Sequence, residues 1–113
     1  IAEAKPEDKM KYIKKDIKEE DHLGSFLMGK FYNLGLEVKQ DTTKAIEYFE
    51  QAVEKGYVHA ATDLLYIYAY DEGFKNSEKL AHYLAISKEN DLYIPTELQE
   101  KSFLKKILGK WFK

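Results

Sequence analysis

GSFLMGKFYNLGLEVKQDTTKAIEYFEQAVEKG, residues 24–56, is the stretch on which the fold turns, because most of its spaced positions are written again in residues 60–91, AATDLLYIYAYDEGFKNSEKLAHYLAISKEND. At an offset of 36, the distance from Tyr32 to Tyr68, Ser25, Met28, Gly29, Tyr32, Glu37 and Val38 are answered by Ala61, Leu64, Leu65, Tyr68, Gly73 and Phe74. One residue is then missing. At an offset of 35, the distance from Tyr48 to Tyr83, Lys44, Ala45, Tyr48 and Phe49 are answered by Lys79, Leu80, Tyr83 and Leu84. Towards the N-terminus, Tyr12, Ile13 and Ile17 precede Tyr48, Phe49 and Val53 by the same 36 residues. A repeat of this length predicts stacked helical hairpins, since a single hairpin cannot bury its apolar face alone. The chain reads as half a unit, two whole units and a cap.

Local signals agree and predict six helices. Pro6 suits a first helical turn, and Met10, Ile13 and Ile17 follow at helical spacing up to about Glu20. The second helix runs from about His22 to Leu34 and stops at Gly35, which can take the left-handed conformation that closes a helix. Asp41 caps the third and Gly56 ends it. The fourth spans about Val58 to Tyr70 and closes near Gly73. Ser77, standing where the first copy has Asp41, is expected to cap a fifth that lasts to about Asn90. After Pro95, Thr96 and Gln99 form a capping box for a last helix ending near Phe112. The β-branched and aromatic residues fall at helical rather than alternating spacing, so strands are not expected.

Two small residues, an apolar-Gly pair, a Tyr four residues after the apolar one, a Gly-containing turn ending in Val, an Asp, then Lys-Ala, Tyr-Phe and Gly: this order resembles the Sel-one-like repeat of the tetratricopeptide-like superfamily. The resemblance covers about two thirds of the chain. The second copy departs from it at Leu65, Ser77, Ser87 and Lys88, as a terminal unit is expected to. The resemblance implies an all-α fold, a short right-handed α/α solenoid of about six antiparallel helices. Residues 1–113 then form one domain, with a half-unit at 6–20, repeats at 22–56 and 58–91, and a cap helix at 96–112. It also implies that the first helices of successive hairpins line a concave binding surface. Relatives of this kind act as adaptors in signalling and protein quality control, and short bacterial members include immunity proteins that block a secreted toxin.

Ser25, Gly29 and Ala60 are short where two helices of a hairpin must approach closely. Tyr32 and Tyr68 supply area to that joint, while Tyr48 with Phe49, and Tyr83 with Leu84, are expected to fill the space between hairpins. Each enclosed aromatic contributes about 2–3 kcal/mol. With Ser25, Met28, Gly29 and Tyr32 on the packed side, Phe26, Lys30 and Asn33 fall opposite. Thr62, Tyr66 and Ala69 hold the same places in the fourth helix, with Asp63 and Tyr70 at their edge. A soluble helix normally carries charge there. Aromatic anchors with a few polar guides are instead the composition of an interface centre, so Phe26, Lys30, Asn33, Thr62, Asp63, Tyr66 and Tyr70 are the candidate partner-binding residues.

The rest of the chain narrows the function. Its 113 residues, 44% hydrophobic and 34% charged, suffice for one core. A net charge of −2 with interspersed Lys and Glu offers no field for nucleic acid. There is no cysteine, which excludes disulfides, thiolate metal sites and a thiol nucleophile. His22, His59 and His82 lack any metal-ligand spacing, and the acidic runs at Glu19-Glu20-Asp21 and Asp71-Glu72 read as solvated loops. No phosphate loop, nucleophile elbow or dinucleotide fingerprint is present. Neither a catalytic residue, nor a metal, nor a cofactor is therefore expected.

No apolar run approaches the ~20 residues that span a bilayer. Ile1 in place of Met suggests a mature form or a trimmed chain, so a removed leader or a lipid anchor stays open, as do bacterial cytoplasm and periplasm. Near the C-terminus Leu104, Ile107, Leu108, Trp111 and Phe112 share an arc ringed by Lys105, Lys106, Lys110 and Lys113. Such a helix caps a solenoid, or lies on an anionic membrane. The expected function is a non-enzymatic module that binds one protein partner, a secreted toxin if the immunity role holds. The alternatives are a self-associating scaffold and a membrane-surface protein.

Overall fold

The structure is a computed structural model that describes residues 22–99. These residues hold five helices and no strand: α1 (His22–Leu34), α2 (Thr42–Glu54), α3 (Ala60–Tyr70), α4 (Ser77–Glu89) and α5 (Thr96–Gln99). The first expected helix, at 6–20, and the cap helix beyond Gln99 lie outside the described residues. The chain divides into two compact units, Ile1–Ala60 and Ala61–Lys113.

In the first unit α1 and α2 form an antiparallel hairpin. Lys55 Nζ donates to Ser25 Oγ at 3.1 Å, Gly29 faces Phe49, and Tyr32 stacks on Tyr48, so partners descend along α2 as α1 ascends. Gly29 is required here by a close approach. A Cβ at that position would stand 2.5 Å from Phe49 Cδ1 and 2.6 Å from Cε1, well inside the ~3.5–4.0 Å of an ordinary carbon contact. Ala45, Phe49 and Ala52 are fully buried along the facing side of α2. The connection is drawn in by the Asp41 N–H, which donates to the Tyr32 carbonyl at 2.9 Å, and Lys44 Nζ covers the Tyr32 ring at 5.2 Å.

The second unit repeats this construction in detail. Tyr68 stacks on Tyr83 with ring centroids 6.0 Å apart and planes at 9°, against 5.8 Å and 4° for Tyr32 on Tyr48. The Asn76 N–H donates to the Tyr68 carbonyl at 3.2 Å, as Asp41 does to Tyr32. Both tyrosine pairs therefore lie inside a hairpin. This corrects the expectation that Tyr48 and Tyr83 fill space between hairpins: they sit nearly two helical turns into the second helix, where the two helices of the same hairpin are held together.

The helix ends also repeat. After α2, Tyr57 N–H reaches the Ala52 carbonyl and Gly56 N–H reaches Val53; after α4, Leu92 reaches Ser87 and Asp91 reaches Lys88. Each is a Schellman closure, which needs a left-handed residue in the middle. Gly56 adopts φ +102° freely, whereas Asp91 is held at φ 54° in a conformation that costs a residue with a Cβ about 1–2 kcal/mol, less for aspartate. At the start of α4 the cap is Asn76, whose side chain accepts from the Lys79 N–H at 3.0 Å, as Asp41 accepts from Lys44 at 3.1 Å. Ser77 is thus the first helical residue and not the cap. The missing residue of the repeat falls before Asp41, so Asn76 is its true counterpart.

That correction has a direct consequence. Asn76→Ala should lower stability by about 1 kcal/mol, the usual value of a lost N-cap. Ser77→Ala should stay within about 0.5 kcal/mol. Urea midpoints for the two variants decide between the caps, and the reverse ranking would restore Ser77.

Two further expectations change locally. α3 begins at Ala60, two residues later than expected, because Tyr57, Val58 and His59 are used in the turn that closes α2. Near α5, Gln99 Nε2 donates to the Ile94 carbonyl at 2.6 Å in place of a capping box with Thr96, which already lies in the helix. Ser87, in the place of Ala52, is fully buried with its hydroxyl unpaired among the described residues.

Candidate functional site

The expected partner-binding residues are divided between the two units. In the first, α1 is apolar on two sides. Ser25, Met28, Gly29 and Tyr32 are buried, and on the opposite face Leu23, Leu27 and Leu34 are exposed in a row that includes Lys30. Phe26 lies between the two faces. Its ring is 6.0 Å from Phe49 and 4.9 Å from Tyr57, tilted by 46° and 48°, and it is half-buried. Packing therefore claims Phe26, contrary to the expectation that it would be left free. Tyr57 reaches it because the Schellman turn folds the chain back over α1 at that point. Lys30 Nζ stands 5.5 Å above the Phe26 ring, and Asn33 is half-buried. The middle of the outer face belongs to the leucines, which the repeat pattern did not single out.

In the second unit α3 is buried almost all round, through Ala60, Ala61, Leu64, Leu65, Ile67, Tyr68 and Ala69. One strip is left, and it carries Thr62, Asp63, Tyr66 and Tyr70 together, as expected; Ala69, expected beside them, is buried. Tyr66 is 43% exposed and Tyr70 38%, with ring centroids 5.9 Å apart and planes inclined by 38°. Their four-residue spacing places them on one face. Thr62 and Asp63 flank them, half-buried.

The Tyr70 hydroxyl donates to Glu97 Oε1, tying α3 to α5. Partial burial pushes the Tyr70 phenol above its ordinary range, and the hydrogen bond and charge of Glu97 push it the same way, with smaller contributions from Tyr66 and Tyr93. The folded state holds this proton more tightly than the unfolded chain does. Its stabilising contribution is therefore complete below the ordinary phenol pKa, about 10, and is lost as pH rises through the folded value. Tyr70→Phe should flatten the fall in unfolding midpoint above about pH 10. An identical alkaline profile in both proteins would show that this bond contributes nothing to the pH dependence.

Tyr93, 68% exposed in the segment before α5, lies within electrostatic reach of Tyr70. Neither Tyr93 nor Glu97 belongs to the repeat, so helical spacing carried no signal for them.

The other candidate groups are dispersed. His59 is exposed beside Tyr57, with centroids 5.4 Å apart, and His82 is exposed edge-on to Tyr83 at 4.8 Å. Among the described residues no group of three or more His, Asp or Glu could hold a metal ion. Asp71 Oδ1 accepts from the Gly73 N–H at 3.3 Å and Glu72 pairs with Lys75 at 2.9 Å, so both acids shape the α3–α4 turn. An open pocket of about 300 Å³ beside that turn is lined by Tyr68, Ala69, Lys75, Asn76 and Ser77. No helix among the described residues is long and apolar enough to cross a membrane. Comparison with models of protein families, with curated proteins and with solved structures finds no match.

Proposed function

We propose that this chain is a protein-binding module without chemistry of its own, which engages one protein partner through the exposed face of α3. The observation that carries this reading is the pair Tyr66 and Tyr70. They stand side by side and exposed on a helix whose remaining surface is almost wholly buried. Large aromatics bring contact area at little loss of side-chain freedom, which is why they anchor interfaces. The resemblance to Sel-one-like repeats points the same way, and the narrower immunity role is one case of it, in which the partner is a secreted toxin.

The test is capture from native lysate with the intact chain beside a Tyr66→Ala, Tyr70→Ala variant whose circular dichroism is unchanged. One protein held by the first and lost by the second supports the reading. Binding that survives the double substitution removes these residues from the interface.

The leucine row of α1 favours a second reading, self-association. An exposed apolar stripe on one helix is suited to a copy of itself. Light scattering should then show a dimer that Leu27→Asp dissolves.

A further inference from the structure

The tyrosine face of the second unit has a chemistry more specific than apolarity. Tyr66 and Tyr70 present two exposed rings inclined to each other by 38°. Glu97 stands at the hydroxyl end of Tyr70, where one carboxylate oxygen accepts the phenol proton. A carboxylate has a second oxygen with its own lone pairs, and Glu97 is exposed. The hydrogen bond fixes both groups: it holds the Tyr70 ring in place and keeps a negative charge at the edge of the aromatic face. Tyrosine ring faces carry negative potential, and a carboxylate beside them carries more. A cation is the complement of such a surface, and a neutral apolar side chain would leave the carboxylate without a counter-charge.

We infer that the face formed by Tyr66, Tyr70 and Glu97 receives a cationic side chain, an arginine or lysine presented by the partner protein, with its charge over the tyrosine rings and a hydrogen bond to Glu97. Arginine suits it better, since its planar guanidinium stacks on a ring while donating to a carboxylate. This inference rests on the protein-binding reading and adds the class of residue recognised.

The probe is an acetylated, amidated peptide of sequence Gly-Arg-Gly-Arg-Gly, titrated into the full chain and followed by the ring resonances of its tyrosines. The control is the same peptide with citrulline in place of arginine, which keeps the shape and removes the charge. The arginine peptide should shift Tyr66 and Tyr70 saturably and the citrulline peptide should not, with binding weakened about tenfold by Glu97→Gln and by Tyr66→Leu. Equal shifts from both peptides, or an arginine response undiminished in both variants, overturn the inference. A dimer that Tyr66→Leu dissolves would give the cation to a second copy of the chain and overturn the assignment to a partner. The titration needs no natural partner. A blank capture with a positive titration sinks the protein-binding reading and with it the assignment of the cation to a partner protein, leaving only the cation site, and a successful capture with a blank titration sinks this inference alone.

Discussion

Replacing Phe49 by alanine is expected to lower stability by about 3–5 kcal/mol, the largest single effect in the described residues. Phe49 is fully buried in the first hairpin, where its ring packs on Phe26 and against the backbone of α1 at Gly29. Its neighbours on the buried side of α2 are Ala45 and Ala52, too short to collapse into the space it would leave. The penalty is therefore the lost transfer of a large ring plus the cavity behind it. Set against the ~5–15 kcal/mol of a typical domain, a loss of this size brings the chain near its unfolding threshold. The urea midpoint by circular dichroism measures it. A change of less than about 1 kcal/mol would mean that the hairpin is not organised around this ring.

The second large effect is one of sign. On helix propensity alone, Gly29→Ala should stabilise α1 by about 1 kcal/mol. The close approach of Phe49 predicts the opposite, because the new Cβ would overlap two carbons of a fully buried ring, and overpacking of this kind costs about 1–3 kcal/mol. The second unit shows how the conflict can be relieved. There Leu65 stands in place of Gly29 and Leu84 in place of Phe49, both buried, so at the two aligned positions a small and a large residue are exchanged for two of middle size. Gly29→Ala should therefore be less harmful when Phe49→Leu is present than when it is alone. A double-mutant cycle of chemical denaturation should give a favourable coupling of about 0.5–3 kcal/mol, and strict additivity would show that the two positions do not meet.

This pair also shows how far the residues alone could be read. Departure from the pattern at Leu65 is visible in the sequence, and so is the answer of Leu84 to Phe49. Their connection is not, because the two positions belong to different helices and only a hairpin brings them together. The same holds for the cap of α4. Aligned copies leave one missing residue between Val38 and Lys44, and the alignment cannot say on which side of Asp41 it falls. The carbonyl of Tyr68 decides, since the chain must return to it through the Asn76 N–H just as Asp41 returns to Tyr32.

The candidate face divides in the same way. Tyr66 and Tyr70 were legible because they follow from one helix and its periodicity. The covering of Phe26 is not legible for a physical reason: on a helix apolar on two sides, spacing gives the faces but not which of them the rest of the chain will cover. Tyr57 covers Phe26 from beyond the end of α2, and the leucines are left outside.

What the sequence determined by itself is local. Helix positions, glycine stops and the recurrence of one hairpin plan are set by spacing and backbone preference within a few residues, and among the described residues α1, α2 and α4 and the left-handed stops at Gly35 and Gly56 lie where that reading puts them. What the tertiary structure decided is every feature that depends on distant residues meeting. The tyrosine stacks inside each hairpin, the ring of Phe49 against Gly29, and the carboxylate of Glu97 at the Tyr70 hydroxyl are of this kind, because contact between such groups is fixed by packing and leaves no period in the chain.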